Sequence, residues 1–81
     1  MTVRVRFFAV LRERLHCSET TSSLPDGATV DDLWRSLSAA HPELAPLAAS
    51  VSFAVNQEYV ERSHQLREND EVALIPPVSG G

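Results

Sequence analysis

An α+β domain, with a mixed sheet and one main helix packed on one face, is expected from this chain on three observations. Its 81 residues are 43% apolar and 22% charged, the balance of one globular domain with no length left for a second. Extended runs recur at Thr2–Val10, Val51–Asn56 and Glu71–Ile75, with apolar residues at every second place. Between the first two, one segment carries a long apolar stripe at helical spacing. A chain this short buries only roughly 60–65% of its unfolded surface, so its core has to be thin.

Thr2 to Val10 forms the first strand, with Val3, Val5, Phe7 and Ala9 on one side and Arg4, Arg6 and Phe8 on the other. Leu11 to His16 follows with helix-forming residues, enough for one or two turns. Glu19 to Leu24, rich in Thr and Ser, pairs back on the first strand, and Pro25-Asp26-Gly27 turns the chain. Thr29 is the expected N-cap of the main helix, with Asp32 where a capping box has Glu or Gln. Asp31 and Asp32 also place negative charge at the positive end of the helix dipole. Val30, Leu33, Trp34, Leu37 and Ala40 make one continuous stripe, and Pro42 ends the helix.

Glu43 to Ser50 is a connector. Val51 to Asn56 is a strand with Val51, Phe53 and Val55 inward, and Asn56-Gln57-Glu58 turns into a short edge strand at Tyr59-Val60. Leu66 to Asp70 is a turn in which Asn69 takes a left-handed conformation. Glu71 to Ile75 is the last strand, with Val72 and Leu74 inward and Ala73 and Ile75 outward, and Pro76 and Pro77 stop it. Strand, strand, helix, strand, short strand, strand is the β-grasp layout. Its far face carries Phe8, Ala73 and Ile75, an apolar group open to a partner.

Composition limits function further. Seven arginines and no lysine face eleven acidic residues, a net charge of −4 that repels nucleic-acid phosphate and anionic lipid. No nucleic acid or membrane is expected as partner, and no apolar run approaches the ~20 residues of a membrane span. The first residues read as strand rather than signal peptide, and the single cysteine fits a reducing, cytoplasmic setting. Cys17, without a second thiol, is read as inert. His16, His41 and His64 lack ligand spacing, so no metal site is expected. Asp70-Glu71 is assigned to turn geometry and solubility rather than acid–base work. Arg12 and Arg62 are read as a solvated face, with rim pairs to a partner as the alternative. A chain of this size has no room for an active-site pocket of its own, so autonomous catalysis is not expected.

The feature that carries chemistry is the ending Pro76-Pro77-Val78-Ser79-Gly80-Gly81, which places two of the three glycines last. Two prolines stiffen the exit from the final strand, and a glycine pair without side chains fits a narrow channel in another protein. The group presented there is the α-carboxylate of Gly81. The chain is read as one domain over 1–81, with 76–81 as a protruding tail.

Together with Phe7-Phe8-Ala9, Leu11-Arg12-Glu13, the Thr29 helix start, Val55-Asn56-Gln57 and Asp70-Glu71-Val72-Ala73, this ending resembles the small subunit of molybdopterin synthase, a ubiquitin-like sulfur carrier. Asn69 and His16 stand where members usually have glycine, and Leu74 and Ile75 replace the aromatic residues often found before the prolines. The resemblance implies that a ubiquitin-activating-enzyme-like adenylyltransferase consumes ATP to convert Gly81 to an acyl-adenylate. A sulfur donor then replaces AMP to leave a thiocarboxylate. The tail, Pro77, Val78, Ser79 and Gly80 leading to Gly81, would enter the large synthase subunit. There sulfur passes to cyclic pyranopterin monophosphate to build the dithiolene of molybdopterin. The catalytic acid, base and substrate pocket belong to that partner, and no cofactor is held stably by this chain. The family implies a heterotetramer with two large subunits at its centre. Ile75, Tyr59 and Phe8 are the expected docking residues, an apolar patch with aromatic anchors. Sulfur carriage for thiamine, cysteine or tRNA thiolation, a ubiquitin-like protein modifier, and an interaction module with an idle tail are the competing readings.

Overall fold

Two strands far apart in sequence lie side by side at the centre of the sheet. In the computed structural model, which describes residues 1–77, β1 (Thr2–Phe7) pairs in parallel with β5 (Glu71–Ile75). β2 (Glu19–Ser23) pairs antiparallel on the outer side of β1. β3 (Ser52–Val55) joins β5 to the edge strand β4 (Glu58–Val60), both pairings antiparallel, giving the order β2-β1-β5-β3-β4. A short helix α1 (Val10–Leu15) follows β1, and the main helix α2 (Val30–Ala40) follows β2. The mixed sheet with one main helix on one face is the expected β-grasp architecture.

Alternation decides which side is covered. Val3, Val5 and Phe7 of β1, Val72 and Leu74 of β5, and Phe53 and Val55 of β3 are buried against Val30, Leu33, Trp34 and Leu37 of α2. Trp34 and Phe53 meet edge to face, 5.9 Å between centroids. Leu11, Leu44 and Leu66 close the margins of this core. The capping box forms as expected: the Thr29 hydroxyl accepts from the Asp32 amide, and the Asp32 carboxylate accepts from the Thr29 amide at 2.9 Å.

Three local readings are corrected. β1 stops at Phe7 rather than Val10, and Ala9 is exposed instead of facing the core. The chain has to bury Leu11 on α1, so it leaves the strand at Phe8, whose carbonyl accepts from the Leu11 amide. The connector after α2 is not irregular but a 3-10 helix, Pro42–Leu47, because Pro42 presets its first turn and Leu44 is fully buried. Arg62 does not belong to a solvated face. Its guanidinium lies over Trp34 and Phe53, at 5.5 and 5.1 Å from their centroids, and donates to the Ala48 carbonyl and to Asp31. It thereby ties the β4–β5 connection to α2 and to the segment after the 3-10 helix.

Candidate functional site

Because β1 and β5 are parallel, with Phe7 opposite Leu74, both strands deliver their C-terminal ends to the same margin of the sheet. One residue further on, Phe8 leaves β1 and Ile75 closes β5, while Pro76 and Pro77 depart from that point. An apolar depression of about 650 Å³ lies there, lined by Phe8, Ala9, Val10 and Leu47 together with Ile75, Pro76 and Pro77. Pro76 is buried and Pro77 exposed, so the chain emerges from the body at Pro77.

Among the described residues Phe8 and Tyr59 are the large apolar side chains left exposed, at 37% and 72%. The Arg6 guanidinium stands 5.3 Å from the Phe8 ring centroid, which holds one face of the ring by cation–π attraction. Ile75 is half-buried on the neighbouring strand. The structure therefore brings Phe8, Ile75 and Pro77 together. Tyr59 sits apart from them. It lies opposite Ala54, which lies opposite Ala73, which lies opposite Arg6, so two strands, β3 and β5, separate it from β1 on the same face. The methyl side chains of Ala54 and Ala73 leave a low floor between the two aromatics. Val78, Ser79, Gly80 and Gly81 fall outside the described residues.

The motifs around Asn56 and Asp70 meet at the opposite margin. The Asn56 side chain donates to Asp70 Oδ1 at 2.9 Å and accepts from the Glu71 amide at 3.1 Å, while Asp70 Oδ2 accepts from the Arg67 amide at 2.8 Å. These bonds clamp the β3–β4 turn to the start of β5, a structural duty rather than a chemical one. Among the described residues no three His, Cys, Asp or Glu side chains cluster as a metal site would need. No helix there is long and apolar enough to cross a membrane.

Residues 5–81 match the ThiS family model. The chain belongs to the ThiS family. A molybdopterin synthase sulfur carrier subunit from Chlamydomonas reinhardtii is 45% identical, covering 100% of both chains. The human protein of the same name is 40% identical over 98% of this chain and 93% of its own length. Among solved structures, SAMP1 from Haloferax volcanii is similar over 100% of both chains, with TM-score 0.89 and 28% identity. In this ThiS-family chain the sequence pointed to Phe8, Ile75 and Pro77 but missed Ala9, Val10 and Leu47 as lining. Leu47 carries a weak signal, an apolar residue just after Pro46 in a polar-flanked connector. Nothing in sequence places it beside residues near either end.

Proposed function

We propose that this chain is the sulfur-carrier small subunit of a molybdopterin synthase, with Gly81 as the group that is adenylated, thiocarboxylated and consumed. The full-length 45% identity to the Chlamydomonas sulfur carrier subunit carries the reading. The geometry supports it: the described chain leaves the body at Pro77, beside an apolar depression that a larger subunit can cover. A carboxylate is ionised and a poor electrophile at neutral pH, so ATP has to activate it. The acyl-adenylate loses AMP to an incoming sulfur nucleophile, and the resulting thiocarboxylate is the better nucleophile toward a pterin precursor. The adenylyltransferase supplies the nucleotide site, and the large subunit supplies the acid–base groups. Phe8 and Ile75 dock the carrier, Pro77 directs the tail, and Tyr59 extends the contact along the sheet. A heterotetramer built on two large subunits, in the cytoplasm, is the assembly this reading expects.

The test is the intact mass after incubation with ATP, a cognate adenylyltransferase and a sulfur donor. Exchange of one oxygen for sulfur at Gly81, followed by molybdopterin formation when the large subunit is added, is the expected result. An unchanged mass, with the adenylyltransferase active on another carrier, overturns it. Likeness to SAMP1, a small archaeal modifier protein, favours one second reading, a protein modifier. That reading predicts an isopeptide adduct on other proteins that survives reduction, and it fails where only the thiocarboxylate forms.

A further inference from the structure

The connection between β1 and α1 is strained at one residue. Phe7 is the last core residue of the strand and Leu11 the first of the helix, so three residues reverse the chain. The Leu11 amide donates to the Phe8 carbonyl at 3.1 Å, closing a four-residue turn with Ala9 at its first central position. Ala9 has φ 50° and ψ −125°, the geometry of that position in a type II′ turn, which glycine ordinarily occupies. An L-residue with a Cβ keeps such a conformation only where its surroundings impose it. Here Phe7 and Leu11 are fixed in the core on either side, the Glu13 amide donates to the Ala9 carbonyl at 3.3 Å, and the turn forms one wall of the depression.

We infer that Ala9 is a positioning residue for partner docking: its locked turn holds Phe8 on the rim of the depression, beside Pro77, before the partner arrives. This rests on the sulfur-carrier reading, which supplies the partner. Glycine satisfies the turn without strain but frees the backbone next to Phe8, whereas D-alanine satisfies it and keeps the backbone stiff. Stability and affinity therefore part company. The sole cysteine lets both forms be made by ligating a synthetic 1–16 segment to Cys17.

The experiment measures thermal midpoint and Kd for the molybdopterin synthase large subunit. Ala9→Gly is expected to match or exceed the natural midpoint yet bind about two- to fivefold more weakly, the span of backbone freedom between the two residues. D-alanine at position 9 is expected to raise the midpoint and keep the natural Kd. His16→Gly, at the left-handed end of α1 with φ 57° and outside the depression, is expected to raise the midpoint with Kd unchanged. Equal binding by the glycine form overturns the inference, as does a glycine form of lower midpoint. Weak binding by both forms also overturns it, because the L-methyl would then be a direct contact. Failure of the natural chain to bind the large subunit removes the sulfur-carrier reading instead. In that case exchange of the Leu11 amide tests the lock, expected to be faster with glycine and slower with D-alanine.

Discussion

Asn56 and Gln57 form the two-residue link between β3 and β4, at φ 50° and 72°, between Val55 and Glu58 that pair directly. Two successive left-handed residues make a type I′ turn, whose twist suits the flanking strands and whose second position favours glycine. Asn56 is tied there by its bonds to Asp70 and Glu71, but no side-chain bond holds Gln57 among the described residues. Gln57→Gly should therefore raise stability by about 0.5–1 kcal/mol, seen as a higher urea midpoint at unchanged slope. An unchanged or lower midpoint would show that Gln57 carries no strain. Arg62 makes the opposite case. Removing its guanidinium uncovers Trp34 and Phe53 and leaves the Ala48 carbonyl and Asp31 without their donor. Arg62→Ala should cost about 2 kcal/mol, and Arg62→Lys should recover less than half, since an ammonium lacks the planar fork.

At the scale of the element, α2 depends on its first turn. The Thr29 amide and hydroxyl both donate to the Asp32 carboxylate, and these bonds, the backbone one first, hold its pKa below the ordinary carboxylate value. A carboxylate whose folded pKa is depressed stabilises the fold fully above its unfolded pKa. That contribution is lost as pH falls through the ordinary value toward the lowered one. The stability gap between the natural chain and Asp32→Asn should accordingly be widest near neutrality and close in acid. A gap independent of pH would mean that the charge on Asp32 plays no part in the cap. Thr29→Ala removes the partner of the Asp32 amide and should cost about 1 kcal/mol in thermal or urea unfolding.

Across the whole molecule, the parallel pairing of β1 with β5 places Phe8 and the tail exit together, although Phe8 and Ile75 lie 67 positions apart in the sequence. Phe8 stands on this margin outside the core, so Phe8→Ala should change stability by less than about 0.5 kcal/mol. Its affinity for the large subunit should fall at least about tenfold, as for an aromatic at the centre of an interface. Titration calorimetry beside urea unfolding separates the two effects. Equal affinity would move the docking centre elsewhere on the face, toward Tyr59. Tyr59→Ala is the comparison that measures how far the interface extends across Ala73 and Ala54.

Local pattern was enough for every element whose residues report their own surroundings. Alternation at Val3, Val5 and Phe7 and the stripe from Val30 to Leu37 marked the buried faces, because burial imposes the period of the backbone directly. The Thr29 cap and the left-handed Asn69, at φ 66°, were legible because those conformations depend on residues within a single turn. Phe8 and Ile75 were legible as apolar residues on the uncovered side of the sheet, and the exit at Pro77 from the two successive prolines. Other features depended on contacts between distant segments. The strand ended early because Leu11 had a core to enter, and the connector coiled because Leu44 was buried. Arg62 left the solvated face because Trp34 and Phe53 offered it two rings. Leu47 and the Ala9 turn became walls of one depression only when the parallel strands brought residues near both ends to one margin. The chain alone determines the buried faces of the strands and of the helix and the Thr29 cap, since side-chain periodicity and capping act over a few residues. Only the tertiary fold decides which exposed side chains stand beside the tail, since strand pairing joins residues that no local pattern relates.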